Sequence, residues 1–208
     1  MSVSTSSSTT AKSRGRLRWR VVDIVVASVL GVASGLIFLL WNIGYLGPKG
    51  ILEPLLPGLQ GLLDGPWLFA GVLGALIIRK PGAALYTETL AAVVSALVGS
   101  QWGGFLTLEA GLVQGLGAEL IFLVFFYRNW SLPVAILAGA GAALAGGINN
   151  MLLWYVGSDT TFTVVYLIST VVSGAVIAGA LSWLLARGLA ATGALDRFAS
   201  GRAQRARV

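Results

Sequence analysis

Long apolar runs separated by short polar breaks make up most of this chain. Apolar residues dominate at about 21–41, 66–78, 81–98, 105–127, 132–155 and 162–186, and nearly every charged residue falls between runs or at the ends. A helix of about 20 apolar residues spans the roughly 30 Å hydrocarbon core of a bilayer. The pattern predicts an all-α integral membrane protein, a bundle of six transmembrane helices. The second run is short for a span unless residues ahead of Gly65 extend it. The stretch 44–66, with Pro48, Pro54 and Pro57, predicts a short interfacial helix. The first run has the basic flank of a signal peptide, but it is longer than an h-region and no A-x-A site follows, so it reads as a retained helix. Three segments result: a basic, Ser/Thr-rich tail at 1–18, expected to be disordered over 1–15; a membrane domain at 19–187; and a second basic tail at 188–208.

Composition strengthens this reading. Of 208 residues, 56% are hydrophobic and 11% charged, against roughly 25% charged in soluble domains. The net charge of +6 is placed at span borders. Lys12, Arg14, Arg16, Arg18 and Arg20 precede the first run, Arg79 and Lys80 follow the second, Arg128 follows the fourth, and Arg187, Arg197, Arg202, Arg205 and Arg207 end the chain. With both termini in the cytoplasm, every basic residue except Lys49 lies inside, as the positive-inside rule requires. A patch for nucleic acid or anionic lipid would look similar locally, but the bordering of spans favours topology as the cause.

The chain has no Cys and no His. That excludes disulfides, thiolate and imidazole metal sites, and catalysis by a Cys nucleophile or a His base. No G-x-x-x-x-G-K-[ST] phosphate loop is present, so ATP-driven work would need another chain. No enzymatic activity, metal or cofactor is expected.

Without a hydrophobic drive in lipid, the bundle-facing sides of helices collect small and polar residues. On the first helix Ala27, Gly31 and Gly35 form a small-residue ridge, suited equally to packing within the chain or to docking a partner. On the third, Glu88 shares a face with Ala91, Ala92, Ser95 and Gly99 and points into the bundle. A carboxylate there is a candidate functional group, or else it is bonded to neighbouring backbone or hydroxyls. On the fourth, Gly104, Gly111, Gly115 and Ala118 are flanked by Gln114 and Glu119, while Glu109 falls on the opposite face and can snorkel. Glu88 and Glu119 are expected at similar depth. Asn149 and Asn150 of the fifth helix could bond a ligand or tie helices together. Trp19, Trp130 and Trp183 fit an inner aromatic belt, and Trp41, Trp67, Trp102 and Trp154 an outer one. Trp102, in the turn joining the two carboxylate-bearing helices, suits a planar or cationic ligand.

Arg79-Lys80-Pro-Gly-Ala-Ala, Glu88, Gly-Ser-Gln-Trp-Gly at 99–103 and Gln-Gly-Leu-Gly-Ala-Glu at 114–119 together resemble the YkoE family. Its members are substrate-binding (S) components of energy-coupling factor (ECF) transporters for thiamine and its hydroxymethylpyrimidine precursor. The likeness runs from Trp19 through the sixth helix. It implies capture of a vitamin from outside, with a transmembrane scaffold and two cytoplasmic ATPases as partners, in the cell membrane. It implies ligand-binding roles for Glu88, Trp102, Gln114 and Glu119, and scaffold docking by Ala27, Gly31 and Gly35. Where members often carry a second Glu, this chain has Ser95, which makes its pocket less acidic. Family ligands bind near the outer surface, whereas Glu88 and Glu119 plot toward the inner half, so either the third helix starts earlier than drawn or these carboxylates support the fold beneath the pocket. The contrasting class is a self-sufficient secondary transporter or channel, which an internal repeat would favour; none is evident. A purely structural membrane scaffold is the third reading.

Overall fold

The computed structural model describes residues 17–195, 198, 200 and 201, and among these every regular element is helical. Lys12, Arg14, Arg16, Arg197, Arg202, Arg205 and Arg207, with the Ser/Thr-rich stretch 1–15, lie outside the described residues.

Helix α1 (Val21–Gly44) runs through Tyr45 into a short α2 (Leu46–Leu55). Two 3₁₀ turns, Leu59–Leu63 and Gly65–Trp67, lead to α3 (Phe69–Ile78). Then come α4 (Ala83–Gly99), α5 (Gly104–Val124) and α6 (Leu132–Leu153). The last, α7, spans Thr160–Ala191 and opens into a π-helical stretch at Gly174–Leu181. By length and apolarity α1, α5, α6 and α7 can each cross a membrane; α3 and α4 are shorter apolar helices. The observed ends differ modestly from the pattern: α1 continues to Gly44 and α7 to Ala191. The second apolar run gives only a 10-residue helix after the 3₁₀ turns, because Pro66 and the glycines ahead of it deny a regular start. Residues 188–191 continue α7, and Leu195, Phe198 and Ser200 pack against the bundle, with the Ser200 hydroxyl donating to the Ile77 carbonyl at 3.1 Å.

Helix α3 is the axis of the bundle, with every residue from Ala70 to Ile78 buried, and α1, α4, α5, α6 and α7 surround it. Small residues let the surrounding helices close in, the route to association in lipid. A Cβ on Gly74 would strike the Thr87 side chain, and one on Gly117 would lie 2.5 Å from the Gly141 carbonyl. The π stretch of α7 lies where that helix crosses α6: Gly139 faces Gly174 and Gly179 backbone to backbone, and a Cβ on Gly139 would lie 2.5 Å from the Gly179 nitrogen. π-bulges arise where an α ladder is locally displaced by a neighbour.

The Ala27–Gly31–Gly35 ridge is covered by α4 of the same chain. A Cβ on Gly31 would meet Leu90 at 3.0 Å, and one on Gly35 would meet Val94 at 2.6 Å and the Ala91 carbonyl at 2.7 Å. These contacts are the packing within the chain that such a ridge allows.

The two ends of the bundle differ in chemistry. At the basic pole Asp23, wholly buried, takes an ion pair from Lys80 at 2.5 Å and another from Arg20 at 2.8 Å. Lys80 also donates to the Arg18 carbonyl, and the Trp19 indole to the Pro81 carbonyl at 2.8 Å. These bonds fix the start of α1 on the α3–α4 turn, where Arg79 and Gly82 have left-handed backbone (φ 57° and 81°). Trp130 and Trp183 stand at the same end, under Arg79 and Arg187. At the aromatic pole Trp41, Tyr45, Trp67, Trp102 and Trp154 meet edge to face.

Candidate functional site

A cavity of about 290 Å³ lies beneath the aromatic pole. Phe38, Asn42 and Tyr45 reach it from the end of α1, Lys49 from α2, Asp64 and Trp67 from the 3₁₀ turns, and Ala92 and Ser95 from α4. Trp102 comes from the α4–α5 turn, Thr107, Gly111 and Gln114 from α5, Gly146 and Asn150 from α6, and Tyr166 and Thr170 from α7. Trp154 and Tyr155 close the side between α6 and α7. The glycines of this list leave the room: a Cβ on Gly146 would press on the Gln114 side chain at 3.0 Å.

Aromatic rings form the walls and polar side chains are set among them, as in a small-molecule site. Tyr45 packs on Trp67 and Trp102 at 5.0 and 5.9 Å between ring centroids, and Trp102 on Trp154 at 5.8 Å. Two hydrogen-bond chains border the space. In the first, the Trp67 indole donates to Asn42 Oδ1 at 2.8 Å and Asn42 Nδ2 to Ser95 Oγ at 3.3 Å. In the second, Asn150 Nδ2 donates to the Tyr166 hydroxyl at 2.7 Å, which donates to Asp64 Oδ2 at 2.7 Å; Thr170 donates to the same oxygen at 2.9 Å. The Gln114 amide lines the cavity and has no hydrogen-bond partner among the described residues. Lys49 stands 5.9 Å from the centre of the Tyr45 ring.

Of the residues singled out from sequence, Trp102, Gln114, Ser95 and Asn150 come together on this cavity. Asn149 turns the other way and donates to Glu109 at 2.9 Å, tying α6 to α5. Glu109, which the helix pattern sends toward an interface, is thus held between two helices.

Glu88 and Glu119 are buried, but neither lines the cavity and each serves a different neighbour. Glu88 faces inward, as its helical register requires, and Oε2 accepts from the Gly71 backbone at 2.6 Å; Oε1 has no hydrogen-bond partner among the described residues. Glu119 caps the start of α4, accepting from the Gly82 and Ala84 nitrogens at 2.6 and 2.9 Å and from the Tyr127 hydroxyl at 2.8 Å. Those are orphan donors of a helix N-terminus, which a carboxylate satisfies well. Burial and then the Glu119 hydrogen bond hold the Tyr127 phenol well above its ordinary value. The two acids fasten α4 to α3 and α5.

Asp64, Asn42, Tyr45, Trp67, Tyr166 and Thr170 were not candidates from the sequence. Asp64 lies in an irregular Gly/Pro-rich stretch, where no helical period assigns a face. Tyr166 and Thr170 did carry a signal, being four residues apart and so on one face of α7.

Comparison with known proteins places this architecture. Residues 22–145, more than half of the chain, match the family model described as the permease component of an ABC-type cobalt transport system. A Bacillus subtilis (strain 168) protein, YkoE, which carries the name of an HMP/thiamine permease, is 35% identical over 191 residues, spanning 88% of this chain and 91% of its own. A crystal structure described as an S-component of an ECF transporter superposes with a TM-score of 0.83 at 33% identity, over 91% of this chain and 95% of that one. This chain is a multi-pass membrane protein of the ABC-type cobalt transport permease family, in the YkoE group of ECF-transporter S components.

Proposed function

We propose that this protein is the substrate-binding subunit of an ATP-driven vitamin importer and that its ligand is thiamine or the hydroxymethylpyrimidine from which thiamine is built. The observation that carries the reading is the aromatic-walled cavity with an unengaged amide, Gln114, set in the scaffold of an S component. Aromatic faces suit a flat pyrimidine, and an amide fixes its orientation by donating and accepting at once. The name carried by the YkoE relative supports this ligand class.

In this reading Trp102 stacks on the ring, and Gln114, Ser95 and Asn150 bond its edge. Glu88, Glu119 and Asn149 hold the walls. The chain crosses the membrane six times, α3 with its 3₁₀ approach forming the second crossing. The basic pole and both tails, 1–18 and 188–208, face the cytoplasm, and the cavity opens outward. A scaffold subunit and two ATPases supply the energy. With Ala27, Gly31 and Gly35 occupied by α4, the scaffold meets α1 on its exposed face, Val25, Val29, Val32 and Leu36.

Calorimetric titration of the purified chain with thiamine and with hydroxymethylpyrimidine tests the reading. Saturable binding of at least one is expected, and Trp102→Ala should weaken it roughly 5- to 150-fold, the loss of one ring-on-ring contact worth about 1–3 kcal/mol. No binding of either compound overturns the ligand assignment. Flux through liposomes holding this chain alone would instead establish a self-sufficient transporter.

A further inference from the structure

Asp64 is the cavity group that a purely structural role explains least. Its Oδ2 is saturated by Tyr166 at 2.7 Å and Thr170 at 2.9 Å, while Oδ1 accepts no hydrogen bond among the described residues. A tie between the 3₁₀ turn and α7 needs only one acceptor oxygen, which a neutral amide would provide without the partial desolvation of a half-buried charge. Lys49, the cation on the cavity wall, forms no ion pair with it.

The bonds around Asp64 all run one way. Asn150 donates to Tyr166, and Tyr166 donates to Asp64, so the chain ends on a carboxylate whose second oxygen has received nothing. Donors in series strengthen one another in a low-dielectric site, and they lock the carboxylate's rotation. What remains is a fixed acceptor on the cavity that the rings of Trp67 and Trp102 also line. A ligand stacked on those rings presents its edge, not its face, to such an oxygen, and the complement of a lone anionic acceptor is an N–H donor.

We infer that Asp64 is the specificity-determining residue of this cavity, and that it selects planar nitrogen heterocycles bearing an exocyclic amino group by accepting a hydrogen bond from that group on Oδ1. The inference rests on the proposed reading of the cavity and names the part of the ligand that is read. Heterocycles of the same shape with no amino group leave the carboxylate facing an apolar edge and are rejected, as sites built to bond a polar group reject analogues lacking it.

The test uses two ligands, hydroxymethylpyrimidine and the same ring without its amino group, titrated into the full-length protein and into Asp64→Asn. A hydrogen bond to a charged acceptor is worth about 1.5–3 kcal/mol, so the unaltered protein should prefer the amino compound roughly 10- to 150-fold. In Asp64→Asn the preference should shrink to within about threefold, through weaker binding of the amino compound. Equal affinities in the unaltered protein overturn the inference, and so does a preference that survives Asp64→Asn. If Asp64→Asn does not fold, Asp64→Ser takes its place: loss of the preference is expected, and a preference that survives overturns the inference. Failure of both ligands on the unaltered protein would instead strike the proposed function itself, and the inference with it.

Discussion

Glu119 closes four donors at once, three backbone nitrogens at the start of α4 and the Tyr127 hydroxyl, and the cavity lies elsewhere. Its substitution should therefore separate stability from binding. Glu119→Ala leaves these buried and part-buried donors open, up to about 1–3 kcal/mol for each one that water cannot reach, so the detergent-solubilised protein should melt markedly lower. Ligand affinity of the molecules that remain folded should stay within about twofold. A lowered affinity at unchanged melting temperature would mean that Glu119 touches the ligand. The same geometry shows what sequence can say about a buried acid. Register along α4 and α5 correctly sends Glu88 and Glu119 inward. Helical period says nothing about what they meet, and here they meet the backbone of Gly71, Gly82 and Ala84. Trp102 and Gln114 were legible because a turn and a glycine stripe fix their place. Asp64 was not, for its position depends on two 3₁₀ turns with no repeating pattern.

Between elements, approach distance decides. Gly139 meets the π stretch of α7 backbone to backbone, with the Gly179 nitrogen 2.5 Å from where a Cβ would stand. Backbone cannot yield as a side-chain tip can. Gly139→Val should therefore cost at least the 1–3 kcal/mol typical of overpacking and lower the folded yield in size-exclusion chromatography. Gly104, with nothing within 4 Å, is the control, and Gly104→Ala should behave as the unaltered protein does. An undisturbed Gly139→Val would mean that α6 and α7 sit farther apart than described. Element existence was readable because apolar length is a strong signal. The π stretch was not, since it arises from the crossing with α6 rather than from any residue of its own. The second apolar run was half legible: its helical core, Phe69–Ile78, stands out, but its approach is irregular and offers no period to read.

For the molecule as a whole, the absence of cysteine makes orientation directly measurable. Gly47 on α2 has open space around it and Asn129 beyond α5 is exposed. With the basic pole inside, Gly47→Cys should react with a membrane-impermeant maleimide in intact cells, and Asn129→Cys only after permeabilisation. The opposite labelling would reverse the orientation and leave the cavity facing the cytoplasm. The cavity itself gathers side chains from all seven helices but α3, together with the 3₁₀ turns and the connecting turns. No single segment of the chain could have revealed it.

The edge-to-face string Trp41–Trp67–Trp102–Trp154, with neighbouring centroids 5.8–6.3 Å apart, has an optical consequence. Indoles held this close and at fixed angles share their excited states, so the group absorbs circularly polarised near-ultraviolet light as one chromophore. A guest wedged beside Trp102 would shift that collective band. The protein thus carries a built-in gauge of its own occupancy, readable without dye or label.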